Sequence, residues 1–521
     1  MFENEYTWGK SVEQNKTDEF ASKFDDAIKS VMNKFGQSYP NIINGREFYS
    51  KDKMEIRSPA DTKIVLGDFP KLNSIQTIDA INSAKSAFSV WSSVPYQQRS
   101  EIFNSIADEF SKNKFELAAW LTFENGKNRI EAMNDVDEAI DFMRFYSYLL
   151  EKNKGFCTET LHPNPKEKTM SVLKPYGVWG IIAPFNFPSA IAIGMTTGAL
   201  LTGNTAILKP ASATPLSSYF FVKILFEKIP SGAINFVTGD GSVVGKTLIE
   251  SPDVDGIAFT GSFEVGMAGL KKFTEKRIKP FIAEMGGKNP VIVTKNADLE
   301  KAANGVMRAA FGYGGQKCSA CSRVYVQKNV RDEFLQKLIE KTKSVKIGKP
   351  WERDCFLGPL INQDSVKKFL DAVEMAKKDG KIIFGGKQVV SSELSSGFYV
   401  EPTIVVDLPE DHNLITKELF LPFLCIETYD NFDQAIALSN KTEYGLTAGV
   451  FSEDKNQVEE FFKKIQAGTT YANREASATT AALVQSQPFV GWKGSGSTGK
   501  GAGGENYLQQ FMRSQTQTRC D

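Results

Sequence analysis

Cys318 is the residue of this sequence whose surroundings best suit covalent chemistry. It ends the segment Gly314-Gly-Gln-Lys-Cys318, between an expected helix and an expected strand. The glycines allow close backbone approach and unusual dihedral angles. Lys317 and Arg323 are near in sequence and are expected to favour the thiolate, which is the nucleophilic form of cysteine. A small buried apolar role, which is common for cysteine, suits Cys321 better than Cys318.

Two polar residues at the ends of apolar runs could complete such chemistry. Glu284 precedes Met-Gly-Gly, which suggests a carboxylate held at a strand terminus. Partial burial would raise its pKa and suit a general base, whereas the alternative is an ordinary surface carboxylate. Asn186 lies in Pro184-Phe-Asn-Phe-Pro188, where two prolines stiffen the loop. An amide fixed in this way can donate to a developing oxyanion, and the alternative is a plain turn residue.

Three further segments have the character of a nucleotide site. Lys209 comes at the C-terminal end of an expected strand, where open parallel sheets bind their ligands. The segment Gly239-Asp-Gly-Ser-Val-Val-Gly245 spaces its glycines one residue wider than the dinucleotide-binding pattern and is weak evidence alone. Phe259-Thr-Gly-Ser262 follows another expected strand and offers an anion-binding turn before a helix.

Strand and helix patterns alternate from residue 174 onward, and these elements must carry the polar residues. Strands are expected at Val178–Ala183, Thr205–Leu208, Ile234–Val237, Gly256–Phe259, Val291–Val293, Ser322–Val326 and Pro402–Val406. Helices are expected at 299–311, 331–344 and 364–379 and from Pro215 to Lys228, the last with Ser212 or Thr214 as its cap. This alternation predicts an α/β fold with a doubly wound parallel sheet.

The remaining segments suggest how the chain is organised. A helical pattern covers 19–34 and again 75–150, whereas 155–173 is polar, contains two prolines and predicts an extended arm or hairpin. We expect a cofactor domain formed by residues 1–154 and 174–286 and a catalytic domain of residues 287–472. Residues 155–173 and 473–521 are expected to form an oligomerisation arm, a substrate loop and the C-terminal tail.

Composition argues against several classes of protein. The chain has 62 Lys+Arg and 62 Asp+Glu, so no nucleic-acid partner is expected. Its two histidines, His162 and His412, stand in separate polar segments, which argues against a histidine-based metal site and a Ser-His-Asp triad. Six scattered cysteines favour a reducing compartment. Without a signal peptide or a long apolar run, a soluble cytoplasmic protein with no membrane partner is expected.

Taken together, these motifs resemble those of the aldehyde dehydrogenase superfamily over about residues 40 to 515. Six segments occur in its order and spacing: the Asn186 loop, Lys209-Pro210, Phe259-Thr-Gly-Ser262, Glu284-Met-Gly-Gly-Lys288, Gly315-Gln-Lys-Cys318 and Glu418-Leu-Phe420. Within it the sequence is most similar to the 1-pyrroline-5-carboxylate (glutamate semialdehyde) dehydrogenase branch. That likeness rests on residues 315–323, Gly36-Gln-Ser-Tyr-Pro40, Thr442-Glu-Tyr-Gly-Leu446 and Ala502-Gly-Gly504 followed by Tyr507.

The resemblance implies NAD- or NADP-dependent oxidation of a small, carboxylate-bearing aldehyde by a homo-oligomer, either a dimer or a tetramer. Cys318 would attack the aldehyde, Asn186 and the Cys318 backbone amide would hold the oxyanion, and Glu284 would activate water to hydrolyse the thioester. Coenzyme contacts are implied for Lys209, Ser212, Gly241, Gly245, Thr260, Gly261, Ser262, Glu418 and Phe420. Substrate contacts are implied for Phe187, Ser319, Ala481, Ala482 and Phe489.

Several residues depart from the family pattern, and they keep a second enzyme class open. Leu421 replaces a Gly of the family, Ala481 and Ala482 replace Gly and Ser of the branch, and Gln485 and Val490 each replace Gly. A CoA-acylating semialdehyde dehydrogenase or acyl-CoA reductase, such as a succinyl-CoA or malonyl-CoA reductase, would pass the same thioester to CoA. The departures favour it mildly, whereas Glu284 argues against it because CoA-acylating relatives often lack this base.

A protein that keeps this fold without catalysis is disfavoured, because Cys318, Glu284 and Asn186 are retained together.

Ser212, three residues after Lys209, bears on the choice of coenzyme. Many NAD-preferring relatives carry a Glu where this chain has Ser212. A carboxylate there would repel a 2′-phosphate, whereas a hydroxyl can donate to it beside the positive charge of Lys209. We therefore expect NADP to be accepted or even preferred and NAD to be usable, unless Ser212 only caps a helix.

Overall fold

A computed structural model describes residues 2–391, 393–475 and 483–520 of the chain. Among these residues, no helix combines the length and the apolar character needed to cross a bilayer. The helices are α1 (Thr7–Glu13), α2 (Thr17–Met32), α3 (Ser74–Ser93), α4 (Tyr96–Glu124), α5 (Arg129–Lys152), α6 (Ala190–Leu201), α7 (Pro215–Phe226), α8 (Lys246–Glu250), α9 (Phe263–Phe273), α10 (Leu299–Phe311), α11 (Arg331–Lys343), α12 (Gln363–Asp379), α13 (Asn413–Thr416), α14 (Phe432–Asn440) and α15 (Lys455–Lys464).

The first of two seven-stranded sheets is built from the N-terminal half of the chain. Two short sheets are separate from it, and in one of them β5 (Asp61–Pro70) lies between β1 (Gln37–Ser38) and β4 (Lys53–Ser58). The seven strands are β2 (Asn41–Ile43), β3 (Arg46–Phe48), β8 (Val178–Ile182), β9 (Thr205–Lys209), β10 (Ile234–Phe236), β11 (Gly256–Thr260) and β12 (Phe281–Glu284). The other short sheet contains β6 (Cys157–Thr160), β7 (Glu167–Pro175) and β22 (Met512–Cys520).

Strand order in this first sheet creates a point where ligands bind in doubly wound folds. The order is β12-β11-β8-β9-β10-β2-β3, and the five strands from β12 to β10 are parallel. The chain runs outward from β8 to β10 on one side and from β11 to β12 on the other. Loops that leave neighbouring strands on opposite sides open a crevice at the carboxyl ends of the strands. Asn186, Lys209, Ser262 and Glu284 all follow or end strands at this edge.

The second seven-stranded sheet is formed by residues between 289 and 472. Its order is β15-β16-β17-β14-β13-β19-β20, and only β15 runs antiparallel to its neighbour. The strands are β13 (Asn289–Val293), β14 (Cys321–Gln327), β15 (Lys381–Phe384), β16 (Thr403–Val406), β17 (Phe423–Tyr429), β19 (Thr447–Phe451) and β20 (Thr469–Ala472), while β18 (Tyr444–Gly445) pairs with β21 (Trp492–Lys493). The two large sheets agree with the predicted α/β class.

Several sequence predictions of elements are confirmed, and the structure adds strands that the sequence did not predict. The helix expected at 299–311 has these bounds, and the stretch 155–173 forms the β6–β7 hairpin. The tail adds β22 to the outer side of β7, so hairpin and tail share one antiparallel sheet. The added strands include β4, β5, β15, β17, β19 and β20. The division into three domains stays a prediction.

The start of α7 differs from the expectation. Thr214 makes no side-chain cap bond, and Ser212 Oγ donates to Gly239 O at 3.1 Å instead of capping the helix. The buried carboxylate of Glu124, at the end of α4, accepts hydrogen bonds from the backbone and the hydroxyl of Ser217 at 3.1 and 2.6 Å. An acidic group there satisfies free N–H groups and suits the helix dipole. Local sequence could not indicate this cap, because 93 residues separate the two partners.

Candidate active site

Cys318 lies in a loop that is held tightly between the end of α10 and the start of β14. Gly315 has φ +65°, and a Cβ atom there would collide with the carbonyl oxygen of Leu421, so this position requires glycine. Gln316 donates to Pro359 O at 3.2 Å and accepts from Ile361 N at 2.9 Å. Contacts with Leu421 and with Pro359 and Ile361 therefore fix the segment that leads to the Cys318 thiol.

The electrostatic environment of Cys318 contradicts the expected stabilised thiolate. Burial raises the pKa of the thiol, and the carboxylates of Glu418 and Glu284 raise it further. Lys317, which was expected to assist, pairs with Glu131 at 2.9 Å. Backbone N–H groups of residues 318 and 319 act in the opposite direction, because they donate toward the sulfur. The thiol therefore needs a proton acceptor before it can attack.

Arg323 and Cys321 belong to the core rather than to the reactive site. Arg323 donates to the carbonyl oxygens of Lys288 and Ser439 at 2.8 and 3.0 Å. Cys321 is buried in the apolar core beneath the second large sheet, where its thiol donates to Arg323 O at 3.5 Å. The expectation that Arg323 favours a thiolate is therefore wrong, whereas Cys321 is the buried neighbour that the sequence suggested.

Glu284 ends β12 with one carboxylate oxygen left free. The backbone N–H of Gly491 donates to the carboxylate, while Oε2 is buried and has no hydrogen-bond partner among the described residues. Burial raises the pKa of Glu284 to about 8. The end of the strand is fixed from the C-terminal tail, because Ala283 N donates to Ser497 Oγ at 2.8 Å. A carboxylate with these properties can take up a proton near neutral pH.

Asn186 is buried beside the cysteine loop. Its amide Nδ2 donates to Gln316 O at 3.0 Å, two residues before Cys318. One N–H of the amide is thus engaged with the loop, and the other remains for a second acceptor. The arrangement fixes the amide relative to the thiol and can support a negative oxygen formed next to the sulfur.

One cavity of about 60 Å³ brings most of the predicted chemistry together. Its walls include Cys318, Glu284 and Ser319, together with the rings of Phe187 and Phe489. Most of the remaining wall is apolar and comes from α5, α6, β11, β12 and the segment after β21; it includes Phe142, Tyr146, Ile191, Met195, Phe259, Ile282, Ala502 and Tyr507. Charges in this cavity are poorly hydrated, so a polar substrate group needs a specific partner.

The predicted coenzyme residues border the crevice at the end of β9. Lys209 Nζ is buried and donates to Pro210 O at 3.0 Å, and burial lowers its pKa to about 8. A Cβ atom on Gly245 would lie 3.9 Å from the Lys209 side chain, and one on Gly241 would meet nothing within 4 Å. A cation beside open, glycine-lined space fits the ribose and phosphate oxygens of a dinucleotide.

Further coenzyme candidates lie at the end of β11. Ser262 caps α9, its Oγ accepting from Val265 N at 3.4 Å, so Thr260, Gly261 and Ser262 form a turn at a helix N-terminus. Thr260 also lines the cavity that contains Cys318, which was not expected. These groups fit a dinucleotide that runs from Lys209 towards the thiol.

Glu418 and Phe420 lie on the opposite side of this crevice. Glu418 accepts from Gly287 N at 2.9 Å, and burial raises its pKa to about 7. Phe420 has φ +62° and packs edge-to-face on Phe185, next to Asn186, at 5.7 Å. Leu421 stands where the family has a glycine. Its side chain is buried in an apolar cluster, and its carbonyl oxygen lies next to Gly315.

Sequence reasoning missed one carboxyl group of the cavity, and two predicted contacts cannot be placed. Glu138, on α5, lines the cavity, and burial raises the pKa of its carboxyl group well above the ordinary value. A signal was present, because α5 carries four acids in the otherwise apolar stretch Asp135-Val-Asp-Glu-Ala-Ile-Asp141. The predicted contacts Ala481 and Ala482 lie outside the described residues.

The sequence and the fold match known proteins along their length. The aldehyde dehydrogenase family matches residues 48–517. A 1-pyrroline-5-carboxylate dehydrogenase of Anoxybacillus flavithermus is 38% identical over 513 residues, which are 97% of this chain and 96% of that protein. A 1-pyrroline-5-carboxylate dehydrogenase from Thermus with bound NAD superposes with a TM-score of 0.91 at 33% identity, covering 96% of each chain.

A larger protein shares the fold as well. Proline utilization A from Bdellovibrio bacteriovorus superposes with a TM-score of 0.93 at 33% identity, and the match covers all of this chain but 53% of that one. Match length, identity and fold therefore agree with the motifs around the crevice. The chain belongs to the aldehyde dehydrogenase family and is an NAD(P)-dependent oxidoreductase.

Proposed function

We propose that Cys318, Asn186 and Glu284 carry out the oxidation of an aldehyde in the apolar cavity. The observation that carries this proposal is that Cys318 and Glu284 line one apolar cavity, and that one carboxylate oxygen of Glu284 has no hydrogen-bond partner among the described residues. A nucleophile and a base that share a water-poor cavity suit a two-step acyl transfer. Because the pKa of the Cys318 thiol is raised, the thiol is protonated at rest and the sulfur must lose its proton during the attack.

In the first half of the reaction, the sulfur of Cys318 adds to the aldehyde carbon, and the thiol proton passes to a water molecule. The carbonyl oxygen becomes negative and accepts hydrogen bonds from the Asn186 amide and the backbone N–H of residue 318. A nicotinamide held at this site would supply the acceptor for the hydride of this carbon, and Cys318 would keep the acyl group as a thioester. Glu284 then takes a proton from water, the water oxygen attacks the thioester carbon, and the acid leaves as the thiol is restored.

The coenzyme is proposed to lie between Lys209 and Glu418. Lys209 and Ser262 supply a cation and a helix N-terminus for ribose and phosphate oxygens. Glu418 supplies a carboxylate for ribose hydroxyls near the thiol, and its partial protonation near pH 7 is set by burial. Gly241 and Gly245 leave the space that the dinucleotide needs. Whether NADP is preferred stays a prediction.

The substrate is proposed to be glutamate γ-semialdehyde or a close analogue. The similar proteins are 1-pyrroline-5-carboxylate dehydrogenases by name, and the cavity of this chain carries one additional acid, Glu138. A poorly solvated carboxylate is costly to ionise, and an ammonium group on the substrate would supply a counter-ion. Ser319 adds a hydroxyl that can donate to a substrate carboxylate.

A substrate panel tests this function. Glutamate γ-semialdehyde, succinic semialdehyde, propionaldehyde, succinyl-CoA and malonyl-CoA are assayed with NAD and with NADP. We expect the highest kcat/KM for the amino-bearing semialdehyde and no CoA-dependent reaction, because Glu284 can direct water to the thioester. A higher kcat/KM for an acyl-CoA would show that the thioester is exchanged with CoA. Equal values for all aldehydes would remove the proposed role of Glu138.

We propose a homo-oligomer in which the β6–β7–β22 sheet pairs with another copy. Strand β22 is exposed from Arg513 to Cys520 and forms the outer edge of its sheet, and a long exposed edge is suited to pairing with a second chain. Light scattering should give at least twice the 57.7 kDa of one chain. A monomeric mass would overturn the proposal. A cytoplasmic location is likewise proposed, since all six cysteines are free thiols.

A further inference from the structure

An ion pair lies completely buried between the two loops that carry Cys318 and Asn186. Lys127, in the connection from α4 to α5, contacts Asp135 on α5, with 2.8 Å between Nζ and Oδ2 and both side chains 0% exposed. Burying such a pair costs much of the attraction it gains, so it contributes little net stability. The contacts that Lys127 and Asp135 make with neighbouring segments therefore indicate their role better than the ion pair does.

Asp135 holds the segment that follows Asn186. Its second oxygen, Oδ1, accepts from Ala190 N at 2.7 Å, and Ser189 N also donates to the carboxylate. Ala190 is the first residue of α6, four residues after Asn186. The carboxylate thus fixes the C-terminal end of the Asn186 loop by two backbone hydrogen bonds.

Lys127 contacts an aromatic ring from each loop. Its ammonium lies 3.5 Å from the centre of the Phe187 ring and 5.2 Å from that of Tyr313. Phe187 follows Asn186 and forms part of the cavity wall, while Tyr313 begins the turn that leads to Cys318. A cation over an aromatic face is strongly attracted when both are shielded from water. The Tyr313 hydroxyl also donates to Asn125 O at 2.9 Å, beside Lys127.

We propose that Lys127 is a positioning residue whose charge, held by Asp135, fixes the Phe187 ring and thereby aims the Asn186 amide at the oxyanion. The inference rests on the oxyanion role proposed for Asn186. The other charged groups nearby have partners or face elsewhere: Glu131 pairs with Lys317, Glu124 accepts from Ser217, and Glu138 lines the cavity. Without the cation, the Phe187 ring loses the contact on the face next to Lys127, and the amide that precedes it is free to shift.

A set of variants separates this role from a structural one. Lys127→Met leaves Asp135 buried without its counter-ion and is expected to lose stability. The double variant Lys127→Met/Asp135→Asn removes both charges but keeps an oxygen that accepts from Ala190 N. Lys127→Arg restores the cation over the ring. As a matched control, Lys152→Met/Glu505→Gln removes an exposed pair that also has its lysine near an aromatic ring, Tyr148.

Three measurements are compared: the rate of the first NADH burst with a semialdehyde, the Kd of NAD, and the rate at which iodoacetamide alkylates Cys318. The double variant should fold, bind NAD as the parent does, and show a burst at least tenfold slower. Alkylation of Cys318 should change less than twofold, because it needs no oxyanion support. Lys127→Arg should recover much of the burst rate, and the exposed control pair should behave as the parent.

Two results would overturn the inference. A parental burst rate in the double variant would show that the pair has a structural role only. Equal losses of burst and alkylation rates would show that the cysteine loop itself depends on the pair. Asn186→Ala is measured in parallel. A parental burst rate in that variant would remove the proposed oxyanion role. A slow burst would support that role, and the Lys127 variants would then test the positioning role by themselves.

Discussion

The coenzyme crevice and the aldehyde cavity share Thr260 but are built in different ways. On one side of the crevice, Lys209 and Ser262 end or follow strands of the first seven-stranded sheet, and on the other side Glu418 precedes β17 and accepts from Gly287 N. The cavity takes its walls from α5, α6, β11, β12 and segments far apart in sequence, and its acids Glu138 and Glu284 are poorly solvated. Both sites contain buried groups with shifted pKa values, but Lys209 and Glu418 in the crevice have hydrogen-bond partners, whereas Oε2 of Glu284 in the cavity has none among the described residues.

This difference predicts which substitutions matter most. Groups that perform chemistry in the cavity, where water is scarce, should lose function by orders of magnitude when changed. Groups in the crevice act through hydrogen bonds shared among many partners, and each should contribute roughly a tenfold effect or less. Four substitutions test that ranking.

The largest effect is expected for Cys318→Ala. Without the sulfur no thioester forms, so turnover with every aldehyde and either coenzyme should fall to background. Cys321→Ala is the matched control, because this thiol is buried in the core and is absent from the cavity. It should keep most of its turnover at a somewhat lower unfolding temperature. Similar losses in both folded variants would overturn the assignment of the nucleophile.

The next effect is expected for Glu284→Gln. Removal of the base should slow thioester hydrolysis by about 10²- to 10⁴-fold, so one equivalent of NADH forms in a burst and steady turnover nearly stops. Burial raises the pKa of Glu284 to about 8, so the carboxyl group is protonated below this pH and ionised above it. Parental turnover should therefore rise with pH through about 8.

The variant should lose this dependence, since glutamine does not titrate. Stopped-flow absorbance of NADH measures both phases across a pH range on either side of that pKa. A steady rate unchanged from the parent would exclude Glu284 from hydrolysis, and a parental pH profile in the variant would assign the titration to another group.

A smaller effect is expected for Glu138→Gln. The amide cannot pair with an ammonium, so KM for glutamate γ-semialdehyde should rise about 30-fold, equivalent to roughly 2 kcal/mol for a charged hydrogen bond. Succinic semialdehyde lacks the ammonium and serves as the control substrate, with KM within about threefold of the parent. Equal increases for both substrates would show that Glu138 shapes the cavity without recognising the amine.

The same division explains how far sequence alone could reach. Lys209, Ser262 and Glu284 each follow or end a buried strand, so a local pattern locates them, and β9 and β11 bring their ends to one edge. The wall residue Tyr507 is one of the family marks, but no local pattern ties it to Glu138. Their proximity depends on how α5 packs against the tail, which periodicity does not encode.

Charge states were the hardest property to predict. Lys317 stands next to Cys318 in sequence, yet it pairs with Glu131, because side-chain direction decides which charges meet. The cap of α7 by Glu124 escaped prediction for the same reason. Ser212 was a plausible cap from position alone, whereas its hydroxyl donates to Gly239 O.

The smallest effect is expected in the crevice, for Ser212→Glu. Ser212 lies three residues after Lys209, and its oxygen keeps lone pairs free while its proton is donated to Gly239 O. A carboxylate at this position would repel a 2′-phosphate but accept hydrogen bonds from a free ribose hydroxyl. KM for NADP should rise about tenfold while KM for NAD stays within about twofold, as measured from initial rates at saturating aldehyde.

Ser212→Ala is the control for this substitution, because it removes the hydroxyl without adding charge and should affect both coenzymes alike. Since Ser212 Oγ makes its hydrogen bond to Gly239 O, helix capping does not account for a hydroxyl here, and neither variant should weaken the start of α7. Equal changes for NAD and NADP in Ser212→Glu, or no NADP activity in the parent, would show that coenzyme choice is set elsewhere in the crevice.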